Sequence, residues 1–129
     1  MTRTLKLTLA AIAAIAIAIP ASAAAQGSMS VDPALAKKGK SVFAARGCAT
    51  CHAFGKKLAG PDLAGVMQRR DHDWLRRWLL NTTEMLASDS IAMAMLVEYK
   101  NTKMPNMKLQ NADVDALFHY MQQETDKQK

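Results

Sequence analysis

The stretch "RGCATCHAFG", Arg46 to Gly55, contains both cysteines of the 129-residue chain, Cys48 and Cys51, with His52 directly behind the second. Two thiols this close serve as a redox disulfide, as half of a zinc site, or as anchors for a covalent group. A disulfide is open to an exported chain. Yet thioredoxin-like exchange sets its Cys-x-x-Cys beside a βαβ pattern, which this sequence lacks. So short a loop also adds little stability, because the gain rises with loop length. Zinc normally takes four ligands, and beyond Cys48, Cys51 and His52 the chain offers only His72 and His119, with no second Cys pair.

What remains is covalent haem. Each thiol adds to one vinyl group of the porphyrin, and a two-residue gap in a helical turn sets both sulfurs along the same edge. His52 then faces the iron with a neutral imidazole nitrogen. The sixth coordination position decides what the iron does. An open position takes a small ligand, whereas a second protein ligand closes it and makes an electron carrier. Met104 stands in a loop before Pro105, which locks the backbone. Met107 is its rival, three residues on in the same loop. Met67, Met85, Met93, Met95 and Met121 lie on or near apolar stripes and read as core fillers. His72 and His119 sit beside helix stripes and read as structural residues.

The opening "MTRTLKLTLAAIAAIAIAIPASAAA" supports an exported chain. It carries Arg3 and Lys6, an apolar run from Leu7 to Ile19, and small residues at Ala21, Ala23 and Ala25. That is the layout of a secretory signal peptide over residues 1–25, cleaved after Ala23 or Ala25. The apolar run is shorter than the roughly 17–25 residues that span a bilayer, so the mature domain, residues 26–129, is expected to be soluble and periplasmic. Loss of the leader removes two of the 17 basic residues and none of the 11 acidic ones, which leaves a net charge of +4. The basic residues lack the aromatic interleaving of a single-strand binder, so no nucleic acid is expected. Three Phe, two Tyr and two Trp against nine Met make a sparse aromatic core. This composition suits a domain that wraps its apolar residues around something other than itself.

The periodicity predicts an all-α chain with long irregular connections. Asp32 and Pro33 open a helix over "PALAKKGKSVFAARG", with Gly39 at its centre. Glycine and proline at 55, 60, 61 and 65 mark Ala53 to Arg70 as a loop. Asp71 caps "DHDWLRRWLLN", where Trp74, Leu75, Trp78 and Leu79 form an apolar stripe, and a third helix runs from Asp89 to Tyr99. "KNTKMPNMKLQ" is non-helical at Met104, because Pro105 follows it. Asn111 caps the last helix, "NADVDALFHYMQQE", with Val114, Leu117, Phe118 and Met121 on one face, and "TDKQK" frays.

Five ordered features, "GKSVFAARGCATCH", "GPDLAGV", the Trp-bearing helix, "TKMPN" and the final helix ending "LFHYM", give the chain a resemblance to class I, single-haem cytochromes c of the bacterial periplasmic type. The resemblance spans roughly Asp32 to Gln123. It implies the cytochrome c fold, with crossed N- and C-terminal helices and further short helices and loops around one covalent haem c. It also implies Cys48 and Cys51 as thioether anchors, His52 and Met104 as iron ligands, and the Pro61 carbonyl as acceptor of the His52 Nδ1 hydrogen. By the same resemblance Leu63 packs on the haem face, Thr102 hydrogen-bonds toward a propionate, and Gly39 and Phe43 cross the last helix with Tyr120 over the glycine. Arg70 competes with Arg69 for the propionate, and Trp74 with Trp78 for a haem-side place.

The implied function is a one-electron Fe(III)/Fe(II) shuttle, not an enzyme. Its expected partners are redox proteins with acidic docking patches, namely a respiratory complex, a terminal oxidase or a periplasmic reductase. Lys56, Lys57, Lys103 and Lys108 are candidates to meet them. The alternatives are an electron-transfer subunit of an oxidase or reductase complex, and a haem ligand-binding or peroxidase-like protein in which Met104 is displaced.

Overall fold

The computed structural model describes residues 29–129; the leader expected at residues 1–25 lies outside them. Helix α1, Pro33–Ala45, starts where the sequence places it. The Asp32 carboxylate accepts the Ala34 N–H at 2.8 Å and the Leu35 N–H at 3.1 Å, and Pro33 fills the first helical position. Gly47, at φ 68°, turns the chain out of α1 into a single 3₁₀ turn, Cys48–Thr50, so the cysteine pair sits at the end of a fixed helix.

The last helix, α6, Asn111–Asp126, crosses α1 and carries the core residues Val114, Leu117, Phe118, Tyr120 and Met121. The crossing is closest at Gly39. A Cβ there would lie 2.0 Å from the Ala116 carbonyl oxygen and 2.8 Å from the Tyr120 Cβ. The costly mid-helix glycine is therefore the condition for contact between the two backbones. Beside it Phe43, Phe54 and Tyr120 form a three-ring cluster with centroids 5.4–5.7 Å apart. His119 adds a polar tie, its Nδ1 accepting the Asp32 N–H at 3.0 Å.

Two corrections concern α6. Gln110, not Asn111, is the cap, and its N–H donates to the Asp113 carboxylate at 3.1 Å. The helix also continues into "TDKQK" as far as Asp126. Thr125 is buried, accepting the Gly65 N–H at 2.9 Å while its hydroxyl donates to the Met121 carbonyl at 2.8 Å. That anchor holds the last turn in place.

Four short helices lie between the crossing pair: α2, Val66–Arg69; α3, His72–Leu80; α4, Thr82–Ser88; and α5, Ser90–Glu98. Helix α3 begins with Asp71 accepting the Trp74 N–H at 2.8 Å, and its predicted stripe turns inward through buried Trp74 and Leu75. Helices α2 and α4 fall where the sequence reading expects no element. The first is one turn set between the left-handed Gly65 and the extended Arg70. The second starts at Asn81, which also ends α3, and holds Met85 and Thr82 in the core. In α5, Met95 and Leu96 turn inward and Ala92 is buried, whereas Ile91, Met93 and Val97 stay exposed. No strand and no helix long and apolar enough to cross a membrane is present among the described residues.

The Gly39 contact sets a quantitative expectation. Gly39→Ala should cost about 3 kcal/mol or more, the upper end of overpacking, because a carbonyl of the helix backbone blocks the methyl. Exposed Lys40→Ala should stay within about 0.5 kcal/mol of wild type. Guanidinium denaturation of both variants checks the pair.

Candidate functional site

Between the crossed helices and the short ones, two adjoining cavities of about 320 and 630 Å³ share Cys48, His52, Pro61, Trp78, Met95, Tyr99 and Met104 as walls. Cys48 and Cys51 are free thiols. Burial raises the Cys48 thiol above its ordinary range, against smaller opposing effects of its backbone hydrogen bond and Arg46. Among the described residues no group of three or more His, Cys, Asp or Glu is arranged to hold a metal ion by itself.

The His52 ring is fixed from the chain that follows it. Its Nδ1 lies 2.9 Å from the Pro61 carbonyl oxygen. A carbonyl only accepts, so Nδ1 carries the proton and Nε2 keeps its lone pair in the neutral ring. The Gly60 N–H reaches the Cys51 carbonyl at 2.8 Å and the Leu63 N–H the Ala53 carbonyl at 2.9 Å, which lays residues 60–63 alongside the histidine. Asp62 closes the intervening loop by accepting the Gly55 and Ala64 N–H groups, both at 2.8 Å. Arg69 braces the same loop through the carbonyls of Asp62, at 2.7 Å, and Ala64.

The wall after α5 carries the methionines. Met104 lines both cavities and is half-buried; Met107 lines only the smaller one and packs against the hydrophobic core. The segment is bracketed by non-glycine residues in the left-handed region, Lys100 at φ 53°, Asn101 at 63° and Lys108 at 51°. Such conformations cost about 1–3 kcal/mol each and persist where the surroundings enforce them. Thr102 lines the smaller cavity, its N–H donating to the Tyr99 carbonyl at 3.0 Å.

Leu63, Arg70 and Trp74 line the larger cavity, as does Arg69. The two arginines differ in what they hold. Arg69 is engaged with backbone carbonyls, whereas the Arg70 guanidinium lies 5.6 Å from the Trp74 ring centroid and 3.7 Å from the Met95 sulfur. Trp74 and Trp78 are stacked, 5.6 Å apart at 9°, but their roles diverge. The Trp74 indole N–H donates to Asp89 at 3.1 Å, while Trp78 borders both cavities. His72 and His119 are not among the cavity-lining residues; His72 meets the Met67 carbonyl at 2.9 Å.

Two residues shared by both cavities escaped sequence reasoning. Met95 was assigned to the core but borders both cavities, and Tyr99 does the same from the end of α5. Lys57 sits 4.1 Å above the Tyr99 ring and 3.7 Å from the Glu98 carboxylate, joining the loop to α5. Outside the cavity walls, Asp89 accepts from the Trp74 indole and caps α5 through the Ala92 N–H at 2.9 Å. The one signal for Asp89 was its place before a helical run.

Two free thiols, an imidazole with its Nε2 lone pair free and thioethers, set around an apolar slot, fit an iron porphyrin attached at its edge. The family model described as cytochrome c matches residues 36–125. The chain belongs to the cytochrome c family. Its cofactor is accordingly covalent haem c with iron, and the activity common to the family is haem-based electron transfer. The fold is similar to that of a cytochrome c from Rhodothermus marinus, with 28% identity, a TM-score of 0.71, and 76% of this chain and 83% of that one covered. The cytochrome c domain of the pp3183 protein from Pseudomonas putida is 40% identical, with a TM-score of 0.62 over 69% of this chain and 89% of that one. An engineered form of the Rhodothermus protein, bound to a carbene intermediate, is 26% identical over 75% of this chain and 82% of that one, with a TM-score of 0.66. Comparison with curated proteins gives no significant match.

Asp89 provides a test by pH. The Ala92 N–H, then the Trp74 indole, hold its carboxyl below the ordinary carboxylate range. A depressed folded-state pKa contributes stability above the unfolded value, about 4, and loses it as pH falls through the folded value. Asp89→Ala should therefore be less stable than wild type at neutral pH, and the gap should narrow below about pH 4. Parallel denaturation curves from neutral to acid pH check this.

Proposed function

We propose that the protein is a periplasmic one-electron carrier rather than an enzyme, with His52 and Met104 as the axial ligands and Cys48 and Cys51 as the thioether anchors. The observation that carries the reading is the 2.9 Å contact of His52 Nδ1 with the Pro61 carbonyl, which leaves Nε2 as a ligand of raised basicity. Met104 is favoured over Met107 because it borders both cavities and is not part of the packed core, whereas Met107 is. When bound, the haem supplies the ferric/ferrous couple. His52 is held by backbone in either state, so little of the protein needs to rearrange when an electron moves. A thioether from Met104 favours ferrous iron and raises the potential relative to two imidazoles.

Arg70 and Thr102 are assigned to the propionates, and Leu63, Trp74 and Trp78 to the walls of the slot. The leader pattern over residues 1–25 supports export to the periplasm. Lys56, Lys57, Lys103 and Lys108 are exposed, and two of them, Lys57 and Lys103, border the cavities. Charge of that sign beside the slot steers encounters with acidic patches on a respiratory complex, terminal oxidase or periplasmic reductase. The left-handed residues at both ends of the Met104 segment favour a second reading, in which Met104 leaves and the iron takes a small ligand.

Two measurements separate these readings. In ferric protein, Met104→Ala should abolish the methionine-to-iron charge-transfer band and Met107→Ala should retain it; the reverse pattern overturns the ligand assignment. Ferrous wild type at neutral pH should show no rapid spectral change with carbon monoxide. A rapid change would favour the ligand-binding protein.

A further inference from the structure

Glycines in this chain serve different ends. Gly47, Gly55 and Gly65 adopt φ values of 68°, 88° and 71°, where glycine is favoured by the backbone alone. Gly60 does not share that region, so its backbone would accept an L-residue. What forbids a side chain is the histidine. A Cβ on Gly60 would lie 2.5 Å from His52 Cε1, 2.9 Å from Nδ1 and 3.0 Å from Nε2. An atom in the ring plane, beyond Cε1, would lie much farther from the nitrogens than from Cε1; nitrogen distances this short put that Cβ over the face of the ring, near Cε1.

Both partners are tied to backbone. The Gly60 N–H is bonded to the Cys51 carbonyl at 2.8 Å, and the Gly60 carbonyl accepts the Leu58 N–H at 3.1 Å. The next residue, Pro61, offers the carbonyl that holds His52 Nδ1 at 2.9 Å. Restoring ordinary carbon contact would require the ring to move on the order of 1 Å. A shift of that size takes Nδ1 out of hydrogen-bond range or direction and carries Nε2 with it.

We infer that Gly60 is a positioning residue for His52: its bare α-carbon bears on the imidazole face while the Pro61 carbonyl holds the ring at Nδ1, and together they fix where Nε2 points. The inference rests on the reading of His52 as an iron ligand. One peptide unit thus restrains the ring by contact and by hydrogen bond, without any side chain. Gly60 touches no reacting atom and acts through His52 alone.

The test uses the haem-loaded protein. Gly60→Ala should shift the midpoint potential and, in the ferric state, displace the paramagnetically shifted His52 ring resonances in the NMR spectrum. Leu58→Gly, which loosens the same loop at a residue that lines neither cavity and adds no methyl, should move neither. A Gly60→Ala protein that is merely less stable, with potential and ring resonances unchanged, overturns the inference. Diamagnetic ferrous wild type supplies a readout independent of haem loading in the variant. A nuclear Overhauser contact between a Gly60 α-proton and His52 Hε1 is expected, and its absence also overturns the inference. Should the His52 ring of ferric wild type show no paramagnetic shift, it is the ligand reading that fails.

Discussion

The hydrogen bond from His52 Nδ1 to the Pro61 carbonyl, 2.9 Å long, joins the cysteine turn to the loop that follows it. On one side the ring hangs from a 3₁₀ turn that continues α1 through Gly47. On the other, the backbone bonds from Gly60 to Cys51 and from Leu63 to Ala53 bring the loop back along the same residues. Displacing this bond would free the imidazole tautomer, the loop and the wall formed by Leu63 together. The site is in this sense a backbone construction, with side chains added at its edges.

The frame around it depends on a second close approach. At Gly39 the backbone of α1 meets that of α6, and the aromatic cluster of Phe43, Phe54 and Tyr120 covers the contact. The short helices then pack into the remaining space, with Trp74 tied to Asp89 and stacked on Trp78. The apolar slot left between them is what a chain with few aromatic residues needs. Much of its hydrophobic contact is reserved for the cofactor of the cytochrome c family.

Much of this was legible in the residues, because the strongest signals are local. Asp32 with Pro33, and Asp71 before the tryptophan stripe, mark helix starts by capping chemistry that needs no tertiary context. Gly39 announced a close contact by its cost in mid-helix. Helices α2 and α4 were hidden because each is too short to show a periodicity, and α4 is held by burying Met85 and Thr82. Gln110 was passed over as cap because the bond to Asp113 uses its main-chain N–H, which every residue but proline possesses. The places of Met95 and Tyr99 follow from how α5 is rotated, and a helix apolar on most sides gives no sign of that. Gly60 was read only as loop punctuation; its contact with the imidazole face depends on the fold of the segment around it.

The fixed histidine, the apolar slot and the crossed helices are separate parts of the account, and all of them bear on one iron. The most direct test of the central claim is the absorption spectrum of the purified wild-type protein in both redox states, with the haem-to-protein ratio. The account predicts one thioether-linked haem per chain, low-spin and six-coordinate in the ferric and the ferrous state alike. A high-spin or five-coordinate spectrum in either state, or protein that accumulates folded without haem, would contradict it.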